Sequence, residues 1–159
     1  MSLVEVEDFL WFVDQALAAM VGILRDLGDD GANRHADLPG ANSPYAIVTH
    51  CLGVMEYWGG HVVAGRSIER DRDAEFTARG AVAPLADRVT RARVQLAADL
   101  AGLDPTAPPR GDVDDDDAAI PLGRSQGGAV LHILEELTQH LGQMEMTRDV
   151  LVASSRSDD

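Results

Sequence analysis

Three residues of the stretch HILEELTQHLGQ carry most of the chemistry this sequence offers: His132, Glu136 and His140. They recur at intervals of four, so on a helix they form one slowly drifting polar row. Neighbours along such a row lie roughly 5 to 6 Å apart at Cβ, whereas His132 and His140 are about 12 Å apart along the axis. Glu136 and His140 can therefore converge on one metal ion, as carboxylate and histidine ligands do in helical bundles, while His132 is better placed for contact with substrate or with a ligand. The same spacing also serves an ordinary hydrogen bond or an exposed ion pair. A metal needs a further protein ligand from another helix, and His50 is the best-placed supplier. With water in the remaining position, His50, Glu136 and His140 would form the open two-histidine, one-carboxylate sphere of catalytic zinc.

Other residues near these positions carry two readings each. Trp58, two turns beyond His50, either walls an adjacent pocket or fills core. Tyr45, near the start of the His50 helix, either orients a bound group or packs with its hydroxyl satisfied. Glu56 and Arg148 belong either to a polar end of the site or to surface contacts. Glu135 points away from Glu136 and is expected to face solvent or to serve as a local partner, not as a fourth ligand. His61 falls about 16 Å farther along the helix than His50, too far to share an ion. His35 is expected to be exposed, and Cys51, rotated about 100° from His50, to be a buried structural thiol.

The elements that must position these groups are helices. Apolar residues from Val6 to Leu24 recur at spacings of three and four, which predicts a first helix over 5–27 ended by the Gly28 to Gly31 stretch, with an irregular connection over 28–43. Ser43 and Pro44 read as N-cap and first helical residue of a second helix reaching about Ala64, with Gly65 as its break. Residues 66–77 read as a charged, solvated connection with at most a short helical turn. A third helix is expected from Val82 to Leu103 on the row Leu85, Val89, Leu96, Leu100 and Leu103. A long exposed loop, with room for a short strand or hairpin, follows over 104–128, including the acidic run Asp114 to Asp117. The fourth helix is expected from Gly127 or Ala129 to Ala153. The fold predicted is all-α, a four-helix bundle with a long connection before its fourth helix. A single domain is expected over 1–153, with 154–159 a disordered tail.

Composition narrows the function. At 159 residues, 13 basic against 27 acidic side chains give a formal charge of −14, which argues against nucleic acid held through its phosphates. No apolar run approaches the length of a membrane span, and the start of the chain lacks a basic region before its apolar residues, so a cytoplasmic protein with no membrane partner is expected. A single cysteine excludes an internal disulfide framework and a thiolate-rich metal site.

The segments HCLGVMEYW and HILEELTQHLGQMEMTRDVL resemble the DinB-like superfamily, including the helical domain of mycothiol-dependent maleylpyruvate isomerase and the related low-molecular-weight-thiol S-transferases. The resemblance runs from the first helix through the fourth. It implies four core helices and a divalent metal on His50, Glu136 and His140, with glutamate at the middle position as in the isomerase-like branch, and with Gly142 and Gln143 matching the pattern after the last ligand. Zinc is favoured, and nickel, manganese and iron also suit these donors. The implied activity joins a low-molecular-weight thiol, mycothiol being the candidate, to a small electrophile, with the metal stabilising the thiolate. Tyr45, Trp58 and His132 would orient the reactants, and His132 would also relay a proton. A chain of this length is expected to lack the isomerase's additional C-terminal domain, which favours the transferase. The alternatives are an isomerase, a hydrolase, or a nonenzymatic metal-binding or metabolite-sensing bundle. A homodimer is a further expectation.

Overall fold

The structure is a computed structural model and describes residues 5–157. It is all-helical, with no strand among the described residues. Helix α1 (Val6–Ala32) buries Phe9, Val13, Leu17, Met20 and Leu24 on one stripe. It runs past its expected end because Gly28, at φ 65°, takes a conformation costly to other residues and kinks the helix instead of ending it.

Helix α2 (Pro44–Val54) starts where the sequence places it, with Ser43 Oγ accepting from Ala46 N–H at 3.2 Å and proline at the first turn. Nearly every residue of α2 is buried, so it is a core helix with no solvent stripe. It continues directly into a π-helical segment (Met55–Val63) closed at Gly65, φ 75°. Nothing in the sequence pattern marks this change. The wider turn alters the register of the residues after Val54, including Tyr57, Trp58 and His61.

The charged connection after Gly65 is a structured strap. Its short helix α3 (Arg72–Thr77) is capped by Asp71, whose carboxylate accepts from Ala74 N–H at 3.0 Å, and it packs against α2. Helix α4 (Val82–Asp99) buries Leu85, Val89 and Leu96. It stops four residues before Leu103, with Leu100 as C-cap and Asp99 turned inward. The following connection is tied down, not free. Arg110 N–H donates to Val62 O at 2.8 Å, and the buried Gln126 side chain donates to Pro108 O and accepts from Asp104 N–H. It also holds two one-turn helices, α5 (Asp115–Ala118) and α6 (Pro121–Arg124).

Helix α7 (Gln126–Ser157) begins a little before its expected start and continues past Ala153. Residues 154–157 of the expected tail are therefore helical, while 158–159 lie outside the described residues. Helix α7 packs on α1, α2, the π segment and α6, and α4 packs on α1, α2 and the π segment. Ile133, Leu137 and Met144 of α7 join Ile47, Leu52 and Met55 in one core cluster. The packing that buries these apolar faces sets the His50 side of α2 against α7. No helix among the described residues is long and apolar enough to cross a membrane.

Candidate metal centre

Helix α2 delivers His50, and one turn of α7 delivers Glu136 and His140. A donor atom from each lies within 4.8 Å of the other two. Glu136 Oε2 is the shared point, 3.0 Å from His50 Nε2 and 3.3 Å from His140 Nε2. His50 is buried, and the other two are partly exposed. The imidazole rings of His50 and His140 meet edge to face with centroids 4.9 Å apart, while Phe76 of α3 stacks on the His50 ring at 4.4 Å.

The outer nitrogens of both histidines are committed. His50 Nδ1 lies 2.9 Å from Glu75 Oε2, with Arg70 Nη2 at a longer 3.4 Å, and His140 Nδ1 lies 2.8 Å from Gln143 Oε1; because the near partner of each is an acceptor oxygen, both rings carry a proton on Nδ1. Arg70 holds Glu75 from behind through Nε to Oε1 at 2.7 Å and Nη2 to Oε2 at 2.9 Å. Two Nε2 lone pairs then face an electron-rich carboxylate oxygen. Such a cluster is stable only around positive charge, supplied by added protons or by a cation. The donor types, their convergence and the hydrogen-bonded outer nitrogens all fit a divalent ion with an open coordination position.

The electrostatics of the metal-free cluster follow from the same contacts. Burial lowers the His50 pKa, but hydrogen bonds to Glu136 and Glu75 outweigh it, and the pKa stands above the ordinary 6.5. Hydrogen bonds from His140 and His50 hold Glu136 far below the ordinary carboxylate range, against its burial. Burial likewise raises Glu75, yet the bonds from His50 and Arg70 leave it below 4.5. By linkage, His50 contributes stability that is complete below about pH 6.5 and lost as the pH rises through its folded value. Glu75 and Glu136 contribute stability that is complete above about pH 4.5 and lost as the pH falls through theirs. Chelator-treated protein should therefore lose stability on the alkaline side of pH 6.5, and His50→Gln should flatten that limb. Urea midpoints across pH read this directly, and an alkaline limb of the same slope in both proteins would assign it to other groups.

The remaining candidates divide. His132 stands at the edge of the cluster, with Nε2 3.9 Å from Glu136 Oε1, Nδ1 bonded to Glu135 Oε2 at 3.1 Å, and its ring edge to face with buried Trp58 at 5.0 Å. Trp58 therefore reaches the cluster through His132. Tyr45 turns its hydroxyl toward Gly80. His61 holds two connections together, its ring nitrogens 2.9 Å from Arg66 O and 3.0 Å from Asp112 O. His35 is exposed against Ala41 O, Glu56 pairs with Arg88, and Arg148 pairs with Asp149. Cys51 is fully buried, and that burial pushes its thiol well above its usual range, so it is a core side chain.

Sequence reasoning missed Glu75, Arg70 and Phe76, which lie in the strap read as solvated. The contact of Glu75 with His50 spans 25 positions and follows no helical period, so no spacing exposes it. A local signal does exist in Gly53, a glycine inside an otherwise apolar helix three residues after His50, which marks a close approach. A surface cleft of about 220 Å³ lined by Thr49, Gly53, Arg70 and Glu75 adjoins this clamp without reaching the three ligand residues. Against known proteins, the model of the family described as mycothiol-S-transferase matches residues 8–153. No curated protein matches the chain.

Proposed function

Since this chain belongs to the mycothiol-S-transferase family, a DinB-like family, we propose that it joins a low-molecular-weight thiol, mycothiol, to a small electrophile at a divalent metal held by His50, Glu136 and His140. The observation that carries this reading is the convergence of three electron-rich donor atoms, with the outer hydrogen bonds of both histidines pointing away from the common centre. Bound there, the ion would act as a Lewis acid that lowers the pKa of a thiol and stabilises the thiolate at neutral pH. Zinc suits the borderline donor set and a sulfur ligand.

The chain's own groups complete the account. With Glu136 and Glu75 negative and Arg70 positive, a divalent ion held here would leave the centre one net positive charge, which would favour an anionic sulfur. His132, only 15% exposed and beside Glu136 Oε1, is the group placed to take up the thiol proton. Trp58 fixes the His132 ring from the core side. Tyr45 has no part in this reading.

The test is a reaction of metal-loaded protein with mycothiol and an α,β-unsaturated carbonyl or epoxide probe, followed by mass analysis of product and of remaining thiol. A product that retains the thiol, formed only in the presence of metal, is expected. Turnover that persists without thiol would instead indicate a hydrolase, and a rearranged product with thiol unconsumed an isomerase. Tight metal binding without turnover of any probe would favour a sensing role.

A further inference from the structure

We propose that Glu75 is a positioning residue for the metal centre: clamped by Arg70 and admitted by the missing side chain of Gly53, it holds His50 in the Nδ1–H tautomer with Nε2 aimed at Glu136 and His140. This rests on the reading of those three residues as metal ligands. Imidazole can present a lone pair at Nε2 only while its proton sits on Nδ1, and a strong acceptor at Nδ1 selects that form. Glu75 supplies the acceptor at 2.9 Å, from a side chain only 8% exposed.

Three features make Glu75 more than a passing contact. Arg70 bonds both of its carboxylate oxygens, which fixes the orientation of the carboxylate and keeps it ionised. Phe76, the next residue, stacks on the His50 ring, so one turn of α3 sets both the plane and the proton of the same imidazole. A Cβ at position 53 would overlap Glu75 Oε1 and stand 2.6 Å from its Cδ, so the carboxylate can occupy this place only above glycine. The arrangement is also asymmetric. His140 is backed by the neutral amide of Gln143, and His50 by an anion, which makes His50 the more strongly donating of the two ligands.

The experiment compares wild type, Glu75→Gln, Glu75→Ala and Gly53→Ala in two measurements. Zinc affinity is read by chelator competition, and the His50 tautomer by long-range ¹⁵N–¹H correlation on metal-free protein, at a pH where the nitrogen shifts themselves show the ring to be neutral. Glu75→Ala and Gly53→Ala should each weaken zinc binding roughly 10- to 100-fold and give His50 a mixed or Nε2–H signature. Glu75→Gln retains an acceptor oxygen and should recover most of the affinity and the Nδ1–H form. Unfolding midpoints taken alongside separate this from a general loss of structure, since a purely structural Glu75 would move the midpoint and leave the tautomer unchanged. An Nδ1–H ring and unchanged affinity in folded Glu75→Ala would overturn the proposal. If wild type binds no zinc, the metal reading fails, while the tautomer comparison still decides whether Glu75 positions His50.

Discussion

Glu136→Ala is expected to lose bound metal and thiol-dependent turnover together, with the fold retained. Its Oε2 contacts both histidine Nε2 atoms, so its removal leaves the two histidines without the carboxylate that would complete the site for a divalent ion. Replacing groups that merely support ligands typically costs 10- to 100-fold in metal affinity, and loss of a ligand costs at least roughly 100-fold. Lewis-acid stabilisation supplies several kcal/mol, so turnover should fall roughly 10³-fold. The fold should survive because Glu136 is partly exposed and its neighbours Ile133 and Leu137 carry the packing of that turn. His140→Ala should behave the same way, whereas His132→Ala should keep the metal and lose rate. Equilibrium dialysis against zinc, paired with product formation, distinguishes the three variants. Turnover that survives complete loss of metal from Glu136→Ala would remove the chemical centre of the proposed function.

What the sequence disclosed follows the range of the interactions involved. Helical period and caps are local, so the all-α class, the Ser43–Pro44 start of α2 and the row on α7 were readable from neighbouring residues. The joint placement of Glu136 and His140 is likewise a property of one helix. His50 joins them across 86 positions, and it is legible because a metal needs a third donor from another helix and His50 can face inward on α2 while its neighbours fill the core. The strap over 66–77 defeated the same method. Its charged composition resembles a solvated face, but Arg70 and Glu75 neutralise one another and Glu75 is then buried against α2. The helix end at Gly28 failed for a related reason: glycine's freedom permits a kink as well as a stop, and only the packing of the residues beyond decides between them. The π segment has no compositional signature, so the placement of Trp58 against His132 had to come from the structure.

Arg66→Ala should destabilise the protein by about 3 kcal/mol, more than Asp99→Ala, although both substitutions break one ion pair. Arg66 Nε and Nη2 bond the two oxygens of Asp99 at 2.9 and 2.8 Å, but the side chains differ in burial, 40% exposed for Arg66 and 4% for Asp99. Without Arg66, a buried carboxylate keeps, among the described residues, the Gln95 amide at 2.9 Å as its donor, and an under-compensated buried charge is the costly outcome. Without Asp99, the guanidinium can turn to water, so that loss should be nearer 1 kcal/mol. Replacing both, as in Arg66→Met with Asp99→Leu, should recover part of the difference, because no charge is then left behind. Urea unfolding with an unchanged slope reads each value, and a loss of 3 kcal/mol is a large fraction of the 5 to 15 kcal/mol typical of a domain. Metal affinity should stay near wild type in the folded Arg66 variant. Arg70 is held at Glu75 by its own paired hydrogen bonds, and α3 by its Asp71 cap, so the start and end of the strap are anchored separately. Equal losses for Arg66→Ala and Asp99→Ala would show that water reaches Asp99 and that burial does not set the cost. A joint loss of stability and metal affinity would show that the strap responds as one unit, transmitting the anchor at the end of α4 to the orientation of His50.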